Sequence, residues 1–449
     1  MDSKARRSSY NEANCSPGLY VRNFGKTIFE NSSMKSKDQP VKNGKLFAAD
    51  GCYLLDRDVD DKSEKQFHEF QKVLTWMGFL FDVSSRESPH FLQRLWLGFF
   101  LFTSVYTVIY DLFFLFSDFH ANLAPSTMVV SAITFQASLS LIFLLRWQKN
   151  LNFHHFFHVH RHSKICGADE LDMFHKRVHS GNRKLFWGLQ IYSIITMFIF
   201  YVAIWSGLLA KLVHPSFFRL FYFNQSIYVR PLFFVLYLSL VVYNLATYLC
   251  LTNAVHCELK KFNYKITQLN TLPSELMRSN LESLILEHTQ ITKCIQAMDE
   301  LYKVYAFSVT ACVIPLTIFV LTLVLTRSTL TELLISLPTV AFCTFELYAI
   351  MYSSKISDEL SKSKTLLCTN HNVWIPYDEC LNKIATTLAI HLDQPDLGIT
   401  LWGFTRVTKP LILTIVSGMM TCLAFLLDLK PTEETKDCNC ASNNTIQDS

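Results

Sequence analysis

The chain has 449 residues, of which 50% are hydrophobic and 17% charged, with 37 Phe and a formal net charge of +4. Long apolar runs with the charges pushed between them exclude an ordinary soluble domain and point to an all-α, multi-pass membrane protein. The 13 Cys are scattered without the paired spacing of a zinc site or a disulfide framework, so no metal, cofactor or nucleic-acid partner is expected.

Residues 1–62 are rich in Ser, Asn, Lys and Arg and read as a disordered tail. They hold no apolar h-region, so no signal peptide is expected. The segment 63–94 follows. Its part 63–85 reads as an amphipathic helix lying at the membrane surface, with Trp76, Phe79 and Phe81 at its apolar tip.

Residues 95–429 hold seven apolar runs. They are Leu95 to about Phe116, Met128 to Leu145, Leu185 to about Leu209, Pro231 to Thr252, Val304 to Thr326, Glu332 to Ser353, and Leu411 to Leu429. The last run has one charge, Asp428, and at 1.5 Å per residue it spans a hydrocarbon core of about 30 Å.

The loops set the orientation. Residues 1–94 hold 15 Lys and Arg, 146–184 hold 8, 253–303 hold 6 and 354–409 hold 6. The alternate loops hold none (117–127), 3 (210–230) and 1 (327–331). The positive-inside rule therefore predicts a cytoplasmic N-terminus and, with seven spans, an extracellular tail 430–449. Glycosylation sequons at Asn224 and Asn443 fall in segments predicted outside, whereas the one at Asn31 falls inside. Cys438 and Cys440 are the cysteines of the predicted outer tail, and their expected pairing is with each other in a small ring or across subunits.

Three loop features carry further readings. In 253–303, Leu259, Phe262, Ile266 and Leu269 recur at helical spacing, and Pro273-Ser274-Glu275 reads as a new helix start. A second amphipathic stretch runs from Leu276 through Leu284 and Ile291 to Met298. Residues 152–162 are His-rich, and a helix would align His154, His158 and His162 on one face. That row is open to a metal reading, to a basic helix beside anionic lipid, or to a pH-sensitive contact.

The nine residues Thr421 to Leu429 resemble the closing signature of invertebrate gustatory receptors: Thr-Tyr, five hydrophobic residues, then Gln-Phe. Cys422, Asp428 and Leu429 depart from it. Gly403-Phe404 and the run to Leu411 also look like that family. Seven spans, an inside N-terminus and long inner loops resemble the insect gustatory and odorant receptor superfamily, with its nematode gustatory-receptor-like relatives. The predicted orientation is the reverse of a G-protein-coupled receptor.

The resemblance implies a stimulus-gated, non-selective cation channel, a homotetramer or an assembly with related receptor subunits, in the plasma membrane of sensory neurons. The stimulus would be a tastant or another small molecule, or light or an oxidant. It implies that the last span lines a central pore. Stepping back from Asp428 at helical spacing places Phe425, Ala424, Thr421 and Ser417 on one face. Four copies of Asp428 would ring the outer mouth and favour cations; the plainer reading is that Asp428 marks the membrane boundary. The resemblance further implies a cytoplasmic anchor from 253–303 and 354–410, with a short helix near Asp378 to Leu392. It places the ligand among the outer halves of the second to sixth spans, where Gln136, Tyr201, Trp205, Phe234, Tyr237 and Thr339 are the candidates; helix packing explains aromatic residues there equally well. The alternative function is a seven-helix receptor that signals through G proteins or needs a co-receptor. No enzyme activity is expected, because Asp111 and Glu346 lie in different spans without a local catalytic motif.

Overall fold

In the computed structural model, residues 62–80, 91–117, 123–165, 169–213, 215–219, 229–327, 329–394 and 397–428 are described. They are almost wholly helical. In chain order the helices are α1 (Lys62–Trp76), α2 (Phe91–Ser117), α3 (Ala124–Lys149), α4 (Asn152–His162), α5 (Asp169–Trp205), α6 (Leu208–Leu212) and α7 (Val229–Gln268). They continue with α8 (Ser274–Thr326), α9 (Leu330–Cys368), α10 (His371–Trp374), α11 (Glu379–Leu392) and α12 (Lys409–Asp428). A two-stranded hairpin, β1 (Thr400–Leu401) and β2 (Thr405–Arg406), precedes α12. Seven helices, α2, α3, α5, α7, α8, α9 and α12, are long and apolar enough to cross a membrane, and each contains one of the seven runs. The chain is an all-α, multi-pass membrane protein.

Helix α7 is the centre of the bundle. It is hydrophobic on every side, which in any helix marks a core position. Of its most apolar window 83% is buried, against 17% for α5 and for α12. Helices α1, α3, α5, α8 and α9 all pack on it. The outward side of α5 exposes Ile191, Ile194, Phe198 and Trp205. A continuous apolar surface of this kind suits lipid and not water.

Helices α7, α8 and α9 have 40, 53 and 39 residues. At 1.5 Å per residue they measure about 60, 80 and 60 Å, so each runs well beyond a hydrocarbon layer of about 30 Å. All three extensions lie at one end. The row Leu259, Phe262, Ile266 and Leu269 is buried there. Helix α8 starts at Ser274, because Pro273 sits extended (φ −67°, ψ 150°) and lacks the N–H a preceding turn would need. Its Met277, Leu281, Leu284 and Ile291 complete the layer. Helix α11 seals it with Leu381, Ala385, Leu388 and Leu392. The Asp378 carboxylate accepts from the Cys380 N–H at 2.9 Å and fixes the start of α11. Lys265 pairs with Glu287 at 2.6 Å, and Asn263 Nδ2 donates to the Glu359 carboxylate at 2.8 Å, tying the extensions of α7, α8 and α9 together. Segments 253–303 and 354–410 thus build one helical layer.

The N-terminal helix departs from its expected place. Instead of lying only on a membrane surface, α1 packs on α7 and α5. Phe67, Phe70 and Leu74 are buried, and Gln66 Nε2 donates to the His179 carbonyl at 2.8 Å. Their spacing gives α1 one narrow apolar stripe, and protein covers it. Beyond the helix, Phe79 is buried with its ring centroid 4.6 Å from that of Phe100. Trp76 alone of the expected tip stays outward, 87% exposed. Phe81 lies outside the described residues.

Candidate functional site

The last helix is held at its foot by the hairpin. Trp402 and Gly403 form the turn with positive φ (54° and 79°). The Asp299 carboxylate on α8 accepts from the Thr400 N–H at 2.6 Å and from its hydroxyl at 2.9 Å. The Trp402 N–H donates to the Lys303 carbonyl at 2.9 Å, and the Trp402 ring lies 5.1 Å from that of Phe307. Lys409, the first residue of α12, reaches Asp358 of α9 at 3.0 Å.

Above this foot α12 packs chiefly on α8. Ile412, Met419 and Leu423 are its buried residues, and they form one stripe. Ser417, Thr421, Ala424, Phe425 and Asp428 are all exposed on the other side of the helix. The single chain leaves this face uncovered.

Two polar clusters sit inside the bundle. Asp111 of α2 forms an ion pair with Arg230 of α7, and both side chains are only 2% exposed. The Ser131 hydroxyl reaches the same carboxylate at 3.5 Å, and the Arg230 guanidinium lies 5.5 Å from the Phe217 ring and 5.9 Å from the Tyr110 ring. The second cluster joins α3 to α9: Gln136 Nε2 donates to Glu346 Oε1, with both residues buried. Among the described residues Glu346 Oε2 meets no donor. An intramembrane carboxylate needs such a partner, because hydrocarbon offers none.

The six pocket candidates do not converge. Gln136 belongs to the Glu346 cluster. Tyr237 donates to the Thr103 hydroxyl at 3.3 Å, beside the Asp111 pair. Phe234 is buried between Phe200 and Phe217, at 5.5 and 5.8 Å between ring centroids. Tyr201 and Trp205 are 60% and 81% exposed on the outer side of α5. Thr339 is half-buried on α9. Arg230 was not among the candidates, and its signal is weak: a lone Arg at the head of an apolar run.

The His-rich stretch does form a helix, α4. His158 and His162 lie on one face with ring centroids 4.8 Å apart, while Phe153, Phe156, Phe157 and His160 are buried. Burial, and then the charges of His162 and His154, lower the His158 pKa from its ordinary value. A different group brings metal-type donors together: atoms of His175, Cys257 and Glu258 lie within 4.8 Å of one another. Lys261 already serves it, bonding His175 and donating to Glu258 Oε1 at 3.0 Å, and the Ile165 N–H donates to Glu258 Oε2 at 3.0 Å. An ammonium in that position makes an ion-pair network and disfavours a second cation. Asn224, Asn443, Cys438 and Cys440 lie outside the described residues.

No family model matches the sequence, and no curated protein matches it. Solved structures do. The olfactory receptor OR5 of the insect Machilis hrabei, in complex with eugenol, superposes with a TM-score of 0.66 at 12% identity, covering 82% of this chain and 100% of the receptor chain. A second structure of the same Machilis hrabei receptor gives 0.61 at 11%, covering 81% of this chain and 99% of the receptor chain. At such identity the likeness shows the fold. The superfamily resemblance read from the sequence is borne out at that level.

Proposed function

We propose that this chain, which has the fold of an insect olfactory receptor, is one subunit of a stimulus-gated, non-selective cation channel in a sensory cell membrane. The observation that carries the reading is the two-sided α12. One stripe packs on α8, and the opposite face presents Ser417, Thr421, Ala424, Phe425 and Asp428. Small and hydroxylated side chains ending in a carboxylate suit a wet, cation-attracting pore, and other copies of α12 are what would enclose it. Four subunits, joined through the helical layer of 253–303 and 354–410, would bring four Asp428 carboxylates into a ring. In this reading the C-terminal tail is extracellular, with Asn224 and Asn443 glycosylated.

The stimulus we favour is a small molecule, since the matching Machilis receptor was solved with eugenol. Gln136 and Tyr237, with Phe234, are the polar and aromatic groups of the bundle interior nearest to such a role. A taste, odour, light or oxidant stimulus is separated by experiment. Whole-cell current is recorded from cells expressing this chain alone, challenged with aromatic odorants, sugars, bitter compounds, ultraviolet and blue light, and peroxide. A stimulus-evoked cation current whose selectivity falls in Asp428→Asn and is reversed or blocked in Asp428→Lys is expected. Surface expression without current under every stimulus refutes a channel that conducts alone and favours a co-receptor or G-protein route. A current indifferent to Asp428 makes that residue a boundary marker.

A further inference from the structure

A second site lies away from α12, in the cleft between α5, α7 and α9. The cleft holds a cavity of about 210 Å³. Its lining has two chemistries. Leu185, Leu249 and Tyr348 form an apolar wall, and Arg177, Asn253 and Lys260 form a polar one. The division follows the sequence. On α5 the cations Arg177, Arg183 and Lys184 come before the apolar run that starts at Leu185. On α7 the apolar run ends near Thr252 and Lys260 follows two turns later. On α9 the run ends near Ser353 and Lys355 follows at once. The cavity therefore straddles the level at which hydrocarbon gives way to polar surroundings, at the end that carries the helical extensions.

The charges near it, among the described residues, do not cancel. Among the described residues neither Arg177 nor Lys260 has an ion-pair partner. Lys355 Nζ lies 3.9 Å from the centroid of the Tyr352 ring, and Tyr352 lines the cavity. The carboxylates close by are already served. Glu258 bonds Lys261, Glu359 lies 3.8 Å from His256 and accepts from Asn263, and Asp358 bonds Lys409. Three cations on three helices, above an apolar slot, match a molecule with an anionic head and an apolar body.

We infer that this cleft binds the phosphate headgroup of an anionic membrane phospholipid, with Arg177 and Lys260 on the phosphate and the Leu185–Leu249 wall against the start of its acyl chains. Phosphate at a membrane surface attracts each nearby Lys or Arg appreciably, and Arg offers it a bidentate fork. This inference depends on the seven-helix fold and not on whether the chain conducts.

Gly181 supplies the decisive variant. It lines the cavity, and a Cβ placed on it would meet no heavy atom within 4 Å. Gly181→Leu therefore starts into open space, adds bulk to the slot and leaves every charge in place. The full chain is reconstituted in phosphatidylcholine nanodiscs containing graded phosphatidylserine or phosphatidylinositol 4-phosphate, and the lipid retained after release is counted by native mass spectrometry. Wild type is expected to retain an anionic phospholipid in preference to phosphatidylcholine. Arg177→Gln with Lys260→Gln is expected to weaken that retention roughly 30-fold, from about one contact's attraction lost per cation. Gly181→Leu is expected to weaken it as well, with an unchanged unfolding temperature. Retention equal to wild type in both variants overturns the site. Loss in the double variant with full retention in Gly181→Leu also overturns it, because a diffuse basic surface would then be the binder. Inorganic phosphate competing as well as the lipid would assign the cleft to a free anion and overturn the lipid source.

Discussion

The Asp111–Arg230 pair permits a quantitative test. Both side chains are 2% exposed, and the pair joins the first spanning helix to the central one. Breaking a buried pair by removing one partner costs about 3–5 kcal/mol, since a charge is left uncompensated. Arg230 has aromatic neighbours that favour a cation and that a carboxylate cannot use. After Arg230→Met, Asp111 retains the Ser131 hydroxyl at 3.5 Å, a long contact. After Asp111→Asn, Arg230 keeps the Arg219 carbonyl at 3.3 Å and the rings of Phe217 and Tyr110. A desolvated cation over an aromatic ring gains about 2 kcal/mol. Arg230→Met is therefore expected near the top of the range and Asp111→Asn nearer 1–3 kcal/mol. The double variant Asp111→Leu with Arg230→Met removes both charges and is expected within about 1 kcal/mol of wild type. Unfolding temperature of the detergent-solubilised full chain, followed by fluorescence-detected gel filtration, reads this directly. Arg230→Met should unfold roughly 5–10 °C lower, using about 2–4 °C per kcal/mol and less for a longer chain. A double variant as unstable as Arg230→Met, or an Asp111→Asn more damaging than Arg230→Met, refutes the reasoning.

Two further outcomes follow from named contacts. Asp299→Ala removes the acceptor of both Thr400 bonds, so hydrogen exchange of residues 399–407 should rise by about tenfold or more, for a loss of about 1.5–3 kcal/mol, while α7 stays protected; unchanged exchange there would show that Trp402 alone holds the hairpin. Gln136→Leu strips Glu346 of its one side-chain donor among the described residues and should lower the unfolding temperature, whereas Glu346→Gln keeps an amide partner for Gln136 and should lower it less; the reverse order would place the cluster's role elsewhere.

Much of the fold was legible because membrane spans announce themselves. Seven apolar runs became seven helices, and Pro273-Ser274-Glu275 marked the start of α8 to the residue. The short helix expected near Asp378 to Leu392 is α11, capped by Asp378. On α12 helical spacing grouped Ser417, Thr421, Ala424, Phe425 and Asp428 on one side, and all five are exposed, as is most of that helix outside its buried stripe. The interior was not legible. Asp111 meets Arg230 across 119 positions, and Gln136 meets Glu346 across 210, and no local pattern records which distant helices touch. The aromatic pocket candidates failed to converge for a different reason. In a membrane, lipid and protein core are both apolar, so the contrast that separates inside from outside in a soluble helix is missing. Tyr201 and Trp205 therefore read the same whether they lie exposed on the outer side of the bundle, as they do here, or line a cavity. Helix α1 shows the converse: the sequence reading put its apolar tip at Trp76, Phe79 and Phe81 and did not single out Phe67, Phe70 and Leu74, which protein covers.

The clamp at the foot of α12 has a mechanical consequence. Through Thr400 and Trp402 the hairpin is fastened to Asp299 and Lys303, which lie where the long rod of α8 leaves the apolar layer. The last helix thus has a fixed end and, at Asp428, a far end joined to the bundle by one narrow seam. The join at the base and the seam of Ile412, Met419 and Leu423 together set where the Asp428 carboxylate stands relative to α8.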